Sequence, residues 1–211
     1  MSEDTFKITY FKGNGRAVLM RAVLSYAKAK WENNFVDFST TWQELKASGY
    51  AEFGQVPILE HNGKTYSQSA AITLYLARHF NIYGKNIEEE YQIDSLLCAI
   101  EDFVPVFYPV VMPLTEEQKN NPAKFKQALK DKLQQYFKVF EARYAKFGSG
   151  KYFFGDHFSL ADIFVGAQIP AYLVAFKDED IMTPVAPNLK KLMDSLKENE
   201  LKEFFEKYFI E

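Results

Sequence analysis

Gly54-Gln55-Val56-Pro57-Ile58-Leu59-Glu60-His61-Asn62-Gly63-Lys64-Thr65-Tyr66-Ser67-Gln68-Ser69-Ala70-Ala71-Ile72-Thr73-Leu74-Tyr75-Leu76 is the stretch that decides the fold. A short apolar run, Ile58-Leu59, carries a proline beside its start. Asn62-Gly63 then separates it from Thr65-Tyr66. Asn-Gly between two extended runs is a strong hairpin signal, because both central residues of the favoured turn need positive φ. Ser69 ahead of Ala70-Ala71-Ile72-Thr73-Leu74-Tyr75-Leu76 marks a helix start. The N-terminus of a helix presents unpaired N–H groups and the positive end of a dipole, so it can hold a carboxylate. The stretch reads as strand, hairpin, helix, with an anion site at its mouth.

Working outward, Phe6, Ile8 and Tyr10 alternate with Lys7 and Thr9, the pattern of a half-buried strand. Gly13-Asn14-Gly15 breaks the chain, and Arg16 to Lys28 places Leu19, Val23, Tyr26 and Ala27 near helical spacing. Phe35-Val36-Asp37-Phe38 reads as a second strand, so the chain opens βαβ with a crossover and a parallel pair. Trp42 to Lys46 reads as a helical turn or loop. The order βαβ then ββα is a thioredoxin-like arrangement. Beyond the connector Asn81 to Lys85 the strand signals fade. Glu88 to Val111 is helical in pattern, with a kink or break expected at Pro105 and Pro109. Pro122 to Phe147 is a long amphipathic helix ended by Gly148-Ser149-Gly150. Ser159 and Asp162 form a capping box, with Phe158 and Ile163 placed as its hydrophobic staple. Pro187 to Phe209 supplies one or two terminal helices. The expected fold class is α/β plus all-α: a thioredoxin-like domain over 1–81, a linker over 82–87 and an all-helical domain over 88–211.

The bulk numbers bound the function. The chain has 211 residues, 47% hydrophobic and 17% aromatic, with 25 basic and 28 acidic side chains. So balanced a charge argues against a general nucleic-acid or membrane-surface binder. A single cysteine, Cys98, allows no internal disulfide and suits a reducing, cytoplasmic setting. Met1-Ser2-Glu3-Asp4 is polar and acidic, unlike a secretory leader. No apolar run approaches the ~18 residues of a membrane span.

Several candidate residues have an ordinary and a functional reading. Tyr10 ends the first strand against a glycine-rich turn, where a core aromatic would also fit. Gly13-Asn14-Gly15-Arg16 lacks the glycine fingerprint and the Lys-Ser/Thr ending of a phosphate loop. Gln68-Ser69 in isolation reads as a cap, and Glu88-Glu89-Glu90 as complement to a helix dipole. His61, His79 and His157 show no metal-ligand spacing with one another or with Cys98, so no metal is expected. Cys98 lies in an apolar helical stripe and reads as a buried thiol. With no Cys-x-x-Cys pair after the first strand, dithiol exchange by the usual route is closed, and thiol chemistry has to come from the ligand.

Taken together, the chain resembles the cytosolic glutathione transferases, most closely the sigma class, over nearly its full length. The resemblance rests on Tyr10-Phe11 followed by Gly15-Arg16-Ala17, on Trp42 with Lys46, on Phe53-Gly54-Gln55-Val56-Pro57-Ile58-Leu59-Glu60, on Gln68-Ser69-Ala70-Ala71-Ile72 and on Ser159-Leu160-Ala161-Asp162. Asn14 and Val18 depart from the arginine and the acid that many sigma members carry there. The resemblance implies glutathione as co-substrate and a role for each matching position. Tyr10 donates to the glutathione sulfur, with Arg16 close by. Trp42 and Lys46 hold the glycine end, and Gln55 lies beside the ligand. The Val56 backbone pairs with the cysteinyl part ahead of a cis Pro57. Gln68 and Ser69 grip the γ-glutamyl carboxylate. Asp102 reaches the γ-glutamyl ammonium from the partner subunit of a homodimer.

The implied second substrate is a small hydrophobic electrophile, with Phe11, Gly15, Phe107 and Tyr108 as its expected pocket. Val104 is a further pocket candidate, and Phe103 reads better as core. Two other functions share the fold. One is a glutathione-dependent isomerase of the prostaglandin-synthase kind. The other is a non-catalytic ligand carrier or structural protein. A cysteine-nucleophile redox enzyme is a third reading, and it suffers from the distance in sequence between Cys98 and the expected sulfur site.

Overall fold

Alternation puts Phe6, Ile8 and Tyr10 on the buried face of β1 (Thr5–Phe11). A computed structural model describes residues 4–210, and Met1-Ser2-Glu3 of the acidic start lie outside the described residues. β1 pairs in parallel with β2 (Lys30–Val36) and antiparallel with β3 (Ile58–His61), which pairs antiparallel with β4 (Lys64–Ser67), giving the order β2-β1-β3-β4. α1 (Val18–Tyr26) supplies the crossover between β1 and β2. α2 (Thr41–Ala47) follows β2, and α3 (Ser69–His79) follows β4. This is the expected thioredoxin-like arrangement. The Asn62-Gly63 turn has φ of 50° and 76°, as the hairpin signal requires.

The chain divides into two compact units, Met1–Tyr83 with Asn199–Glu211, and Gly84–Glu198. The first thus takes back the end of the chain, which the sequence had assigned to the helical domain. α10 (Lys202–Lys207) packs on α1, and Tyr208 lies 4.5 Å from the Trp31 ring. The second unit is helical. It holds α4 (Ile87–Val111), α5 (Glu116–Asn120), α6 (Pro122–Lys146), α7 (Leu160–Ile163), α8 (Ile169–Leu173) and α9 (Pro187–Glu198), with a π-helical turn over Phe164–Gln168. Among the described residues, no helix is long and apolar enough to cross a membrane.

Several expectations are corrected. The second strand is Lys30–Val36, not Phe35 to Phe38. Its polar sequence hid it because β2 is an edge strand, where charged side chains keep other chains from pairing. Of the two readings of Trp42 to Lys46, helical turn or loop, the helical one holds, within α2 (Thr41–Ala47). Of the kink or break expected at Pro105 and Pro109, the break is absent: α4 continues through both prolines to Val111. Cys98 is exposed, because the buried stripe of α4 is Ile93, Leu96, Leu97 and Phe103, and Cys98 turns off it. Glu89 is more than a dipole complement: it accepts from the Lys85 amide at 2.8 Å and meets His157 Nε2 at 3.1 Å. The Asn86 side chain caps α4 by accepting from the Glu88 and Glu89 amides. Phe103 is core, 1% exposed.

Candidate functional site

Strand register decides which residues meet. Thr9 lies opposite Ile58, Phe11 opposite Val36, and Ile58 opposite Ser67. One end of the sheet therefore collects Tyr10 from β1, Val56-Pro57 from the run into β3, Gln68-Ser69 from the exit of β4, and the segment after β2 that leads to Trp42. Residues spread over about a quarter of the chain arrive at one edge because β1 and β2 run towards it, β3 starts from it and β4 ends on it.

Tyr10 is 7% exposed, and its hydroxyl accepts a hydrogen bond from the Arg16 backbone N–H at 3.0 Å. That bond uses an oxygen lone pair rather than the phenol proton. It also polarises the hydroxyl into a better donor. Arg16 thus lies close to Tyr10, as the resemblance implies, and its backbone amide makes this contact. Gly15 has φ of +39°, and a Cβ there would overlap the Tyr10 hydroxyl and ring edge. Glycine is needed here both for backbone angle and for room. Gly15→Ala is expected to cost about 1–3 kcal/mol of local strain and to lower glutathione-dependent turnover by displacing the hydroxyl. A crystal structure or thiol titration of the variant checks this, and unchanged turnover sinks it.

The loop is held from below by groups that the sequence did not flag. Arg21, fully buried, donates to Asn33 Oδ1 at 2.9 Å and to the carbonyls of Gly13 and Phe11. Burial pulls its guanidinium down to about 10, with the nearby Tyr10 acting the other way, so it stays charged at neutral pH. The Asn14 side chain clasps the backbone of Ile210, accepting from its N–H at 3.0 Å and donating to its carbonyl. A buried arginine in a helical pattern, and an asparagine in a turn, carry no sequence signal that names such partners.

The Val56-Pro57 bond is cis. Gln68, not Ser69, is the residue flanking α3, and its side chain makes no capping bond. Its φ of 72° is a left-handed value that a non-glycine residue holds at a cost, a kind of strain that clusters at ligand sites. The first bond of α3 runs from the Ile72 N–H to the Gln68 carbonyl at 2.9 Å. The amides of Ser69, Ala70 and Ala71 therefore precede the helical ladder, as at any helix start. Trp42 is buried in a cluster with Val36, Ala51 and Ile58, its ring 5.9 Å from Phe11, and Lys46 Nζ lies 5.7 Å from its ring centre. Gln55 is exposed.

The remaining predicted residues belong to the second unit. Asp102 is exposed and accepts a hydrogen bond from the Tyr136 hydroxyl, a partner that the sequence did not suggest. That bond above all, with burial next, raises Tyr136 above the usual tyrosine range. Phe107 is half-buried, its ring 5.1 Å from Tyr172 and 5.9 Å from Tyr108. Of the residues expected to line the electrophile pocket, Phe11 and Gly15 belong to the first unit and Phe107 and Tyr108 to the second.

At the opposite end of the sheet, folding joins three metal-capable groups that sequence spacing did not reveal. One ligand atom each from Asp4, His61 and His79 lies within 4.8 Å of the others.

Comparison with known proteins fits this architecture. Residues 6–78 match the glutathione S-transferase N-terminal domain and residues 102–208 the glutathione S-transferase C-terminal domain. Probable glutathione S-transferase 7 of Caenorhabditis elegans is 35% identical over 81% of this chain and 81% of its own length. Hematopoietic prostaglandin D synthase of Rattus norvegicus is 31% identical over 54% of each chain. The crystal structure of a major nematode-specific GST of C. elegans superposes with a TM-score of 0.82 at 28% identity, covering 99% of both chains. With a family domain matched in each half and a relative aligned over four-fifths of its length, the chain belongs to the glutathione S-transferase family of enzymes.

Proposed function

We propose that the chain joins the thiol of glutathione to small hydrophobic electrophiles, with Tyr10 holding the sulfur as thiolate. The observation that carries this is the convergence of Tyr10, the cis Val56-Pro57 bond and the strained Gln68 ahead of α3 at one end of the sheet. Glutathione, laid along that edge, presents its carboxylate to the α3 start, its cysteinyl backbone to Val56 and its sulfur to Tyr10. Trp42 and Lys46 take its glycine end and Gln55 lies beside it. Arg16 adds positive charge near the sulfur.

The chemistry follows from acidity. A thiol of pKa ~8.5 is only a few per cent thiolate at pH 7. Lowering that pKa by ~2 units takes ~2.7 kcal/mol. A hydrogen bond to a charged acceptor contributes ~1.5–3 kcal/mol, so one phenol donor supplies most of it. A free tyrosine hydroxyl, with a reference pKa near 10, is a poor base at neutral pH, and the role we assign to Tyr10 is donor. The thiolate then attacks an electrophilic carbon, forming the S–C bond. The displaced electron pair leaves with the leaving group or settles on the acceptor. Holding both reactants in line supplies much of the remaining rate.

Within the family we place the chain nearest the sigma class, on Tyr10-Phe11 and Gly15-Arg16-Ala17. We place it as a homodimer in which Asp102, steadied by Tyr136, serves the neighbouring subunit's glutathione. A glutathione-dependent isomerase is the second reading, supported by the match to the rat prostaglandin synthase. It uses the same thiolate and regenerates it.

Ultraviolet thiolate absorbance of bound glutathione, followed against pH, tests the reading. The thiol is expected to ionise about 2 units below its free value. Glutathione that binds yet stays protonated at pH 7 overturns the enzyme assignment in favour of a carrier. If the thiol ionises, consumption of free thiol with an electrophile marks conjugation, and its conservation during substrate turnover marks isomerisation.

A further inference from the structure

We propose that Asp4, His61 and His79 form a binding site for a zinc-like divalent transition-metal cation, at the end of the sheet remote from Tyr10. Asp4 immediately precedes β1, His61 ends β3, and His79 ends α3. The antiparallel register brings the first two together, because Phe6 pairs with His61. α3 then delivers His79 to the same corner. Asp4 and Tyr10 stand at opposite ends of β1, about 20 Å apart at ~3.3 Å per residue, so this site is separate from the sulfur site.

The donor set suits such an ion. Two imidazole nitrogens and one carboxylate oxygen are ligands for zinc and its neighbours, whereas calcium and magnesium prefer oxygen alone. His61 Nε2 lies 3.4 Å from Asp4 Oδ1, and His79 Nε2 lies 3.2 Å from Asp4 Oδ2. Tetrahedral bonds of ~2.0–2.2 Å place ligand atoms about 3.3–3.5 Å from one another. The two contacts use different Asp4 oxygens, so a single-oxygen Asp4 ligand keeps one of these separations as it stands. The three ligand atoms, one from each residue, lie within 4.8 Å of one another, a gap that side-chain rotation has to close.

The surroundings resemble those of a working metal histidine. His61 is buried, stacks on Phe6 with ring centres 4.1 Å apart, and has its other nitrogen, Nδ1, 2.6 Å from the Tyr75 hydroxyl. A ligating histidine commonly gives its second N–H to such a partner, which fixes the ring and frees Nε2 for the ion. His79 is fixed edge-on to Phe6 and Phe80. Asn62 Nδ2 lies 2.6 Å from Asp4 Oδ1 and 3.1 Å from His61 Nε2. A half-turn of that amide exchanges Nδ2 for Oδ1, a candidate fourth ligand in place of water.

The test is a zinc titration of chelator-stripped, glutathione-free full chain against a chromophoric competitor. A Cys98→Ser background removes the exposed thiol as a rival ligand. One zinc per chain at micromolar or tighter affinity is expected, with a rise in melting temperature that follows zinc concentration. His79→Asn and Asp4→Asn, both at partly exposed positions, are expected to abolish the site. Tyr75→Phe, which leaves all three ligands, is expected to weaken it about tenfold or more. A cobalt(II) substitution giving the intense visible bands of a tetrahedral N/O site supports the geometry on unmutated ligands. Absence of a 1:1 site tighter than about 10 µM, or binding that survives both His79→Asn and Asp4→Asn, overturns the proposal. In either of those cases the cluster is only a set of histidine–aspartate contacts.

Discussion

Tyr10→Phe is expected to slow glutathione-dependent turnover by about 10- to 100-fold, the kinetic equivalent of losing one hydrogen bond of ~1.5–3 kcal/mol to a charged sulfur. The bound thiol's pKa is expected to rise by ~1–2 units in the same variant. Affinity should change little, because the ring stays in place. Its contacts with Phe11 and with the Arg21 guanidinium, 5.8 Å from the ring centre, do not involve the hydroxyl. One side effect is built in: the Arg16 N–H loses the acceptor it holds at 3.0 Å. A modest stability loss of ~1 kcal/mol is expected from that alone. Raising the assay pH above the thiol's free pKa should recover much of the lost rate, since glutathione then ionises without help. Turnover unchanged per bound glutathione, with a large loss of affinity, would make Tyr10 a binding residue and move the thiolate donor elsewhere.

How much of this was legible in the sequence depends on whether a feature is local. The hairpin over Ile58 to Ser67 was legible because the Asn62-Gly63 turn needs positive φ at both residues, and few other dipeptides accept it. The Ser159–Asp162 capping box was legible for the same reason, as a four-residue device. Lys30–Val36 was hidden because an edge strand's composition answers to solvent rather than to a core. The exposure of Cys98 was hidden because a stripe in α4 shifts by 100° per residue, and an apolar neighbourhood in sequence is not one in space. Arg21 and Asn14 act through backbone carbonyls and through Ile210, at the far end of the chain, and no spacing rule spans that distance. The Asp4, His61 and His79 cluster has the same origin. Its spacing matches no metal motif, because sheet register rather than one helix or loop assembles it.

Asp162→Ala is expected to destabilise the chain by about 3–6 kcal/mol, more than any other single substitution considered. Asp162 is fully buried and accepts from the Phe153 N–H at 2.7 Å, the Ser159 N–H at 2.9 Å and the Ser159 hydroxyl at 3.1 Å. Alanine leaves two buried backbone donors without an acceptor, each costing ~1–3 kcal/mol, and strands the hydroxyl as well. Asp162→Asn keeps one carbonyl oxygen and should lose roughly half as much. The carboxyl itself is pushed up to about 7 by burial, against the pull of its three donors. Its folded pKa therefore lies above the unfolded value of 3.8, and the native chain binds the extra proton between the two. The stability this adds is present in full below about pH 4 and is lost as pH rises through about 7. Urea unfolding at pH 5 and pH 7 should accordingly show a downward contribution in the native chain that Asp162→Asn removes. A slope of the opposite sign, abolished by the same substitution, would mean that the three donors outweigh burial and that Asp162 is ionised in the fold. A loss below ~1 kcal/mol in Asp162→Ala would mean that water reaches the Phe153 and Ser159 amides.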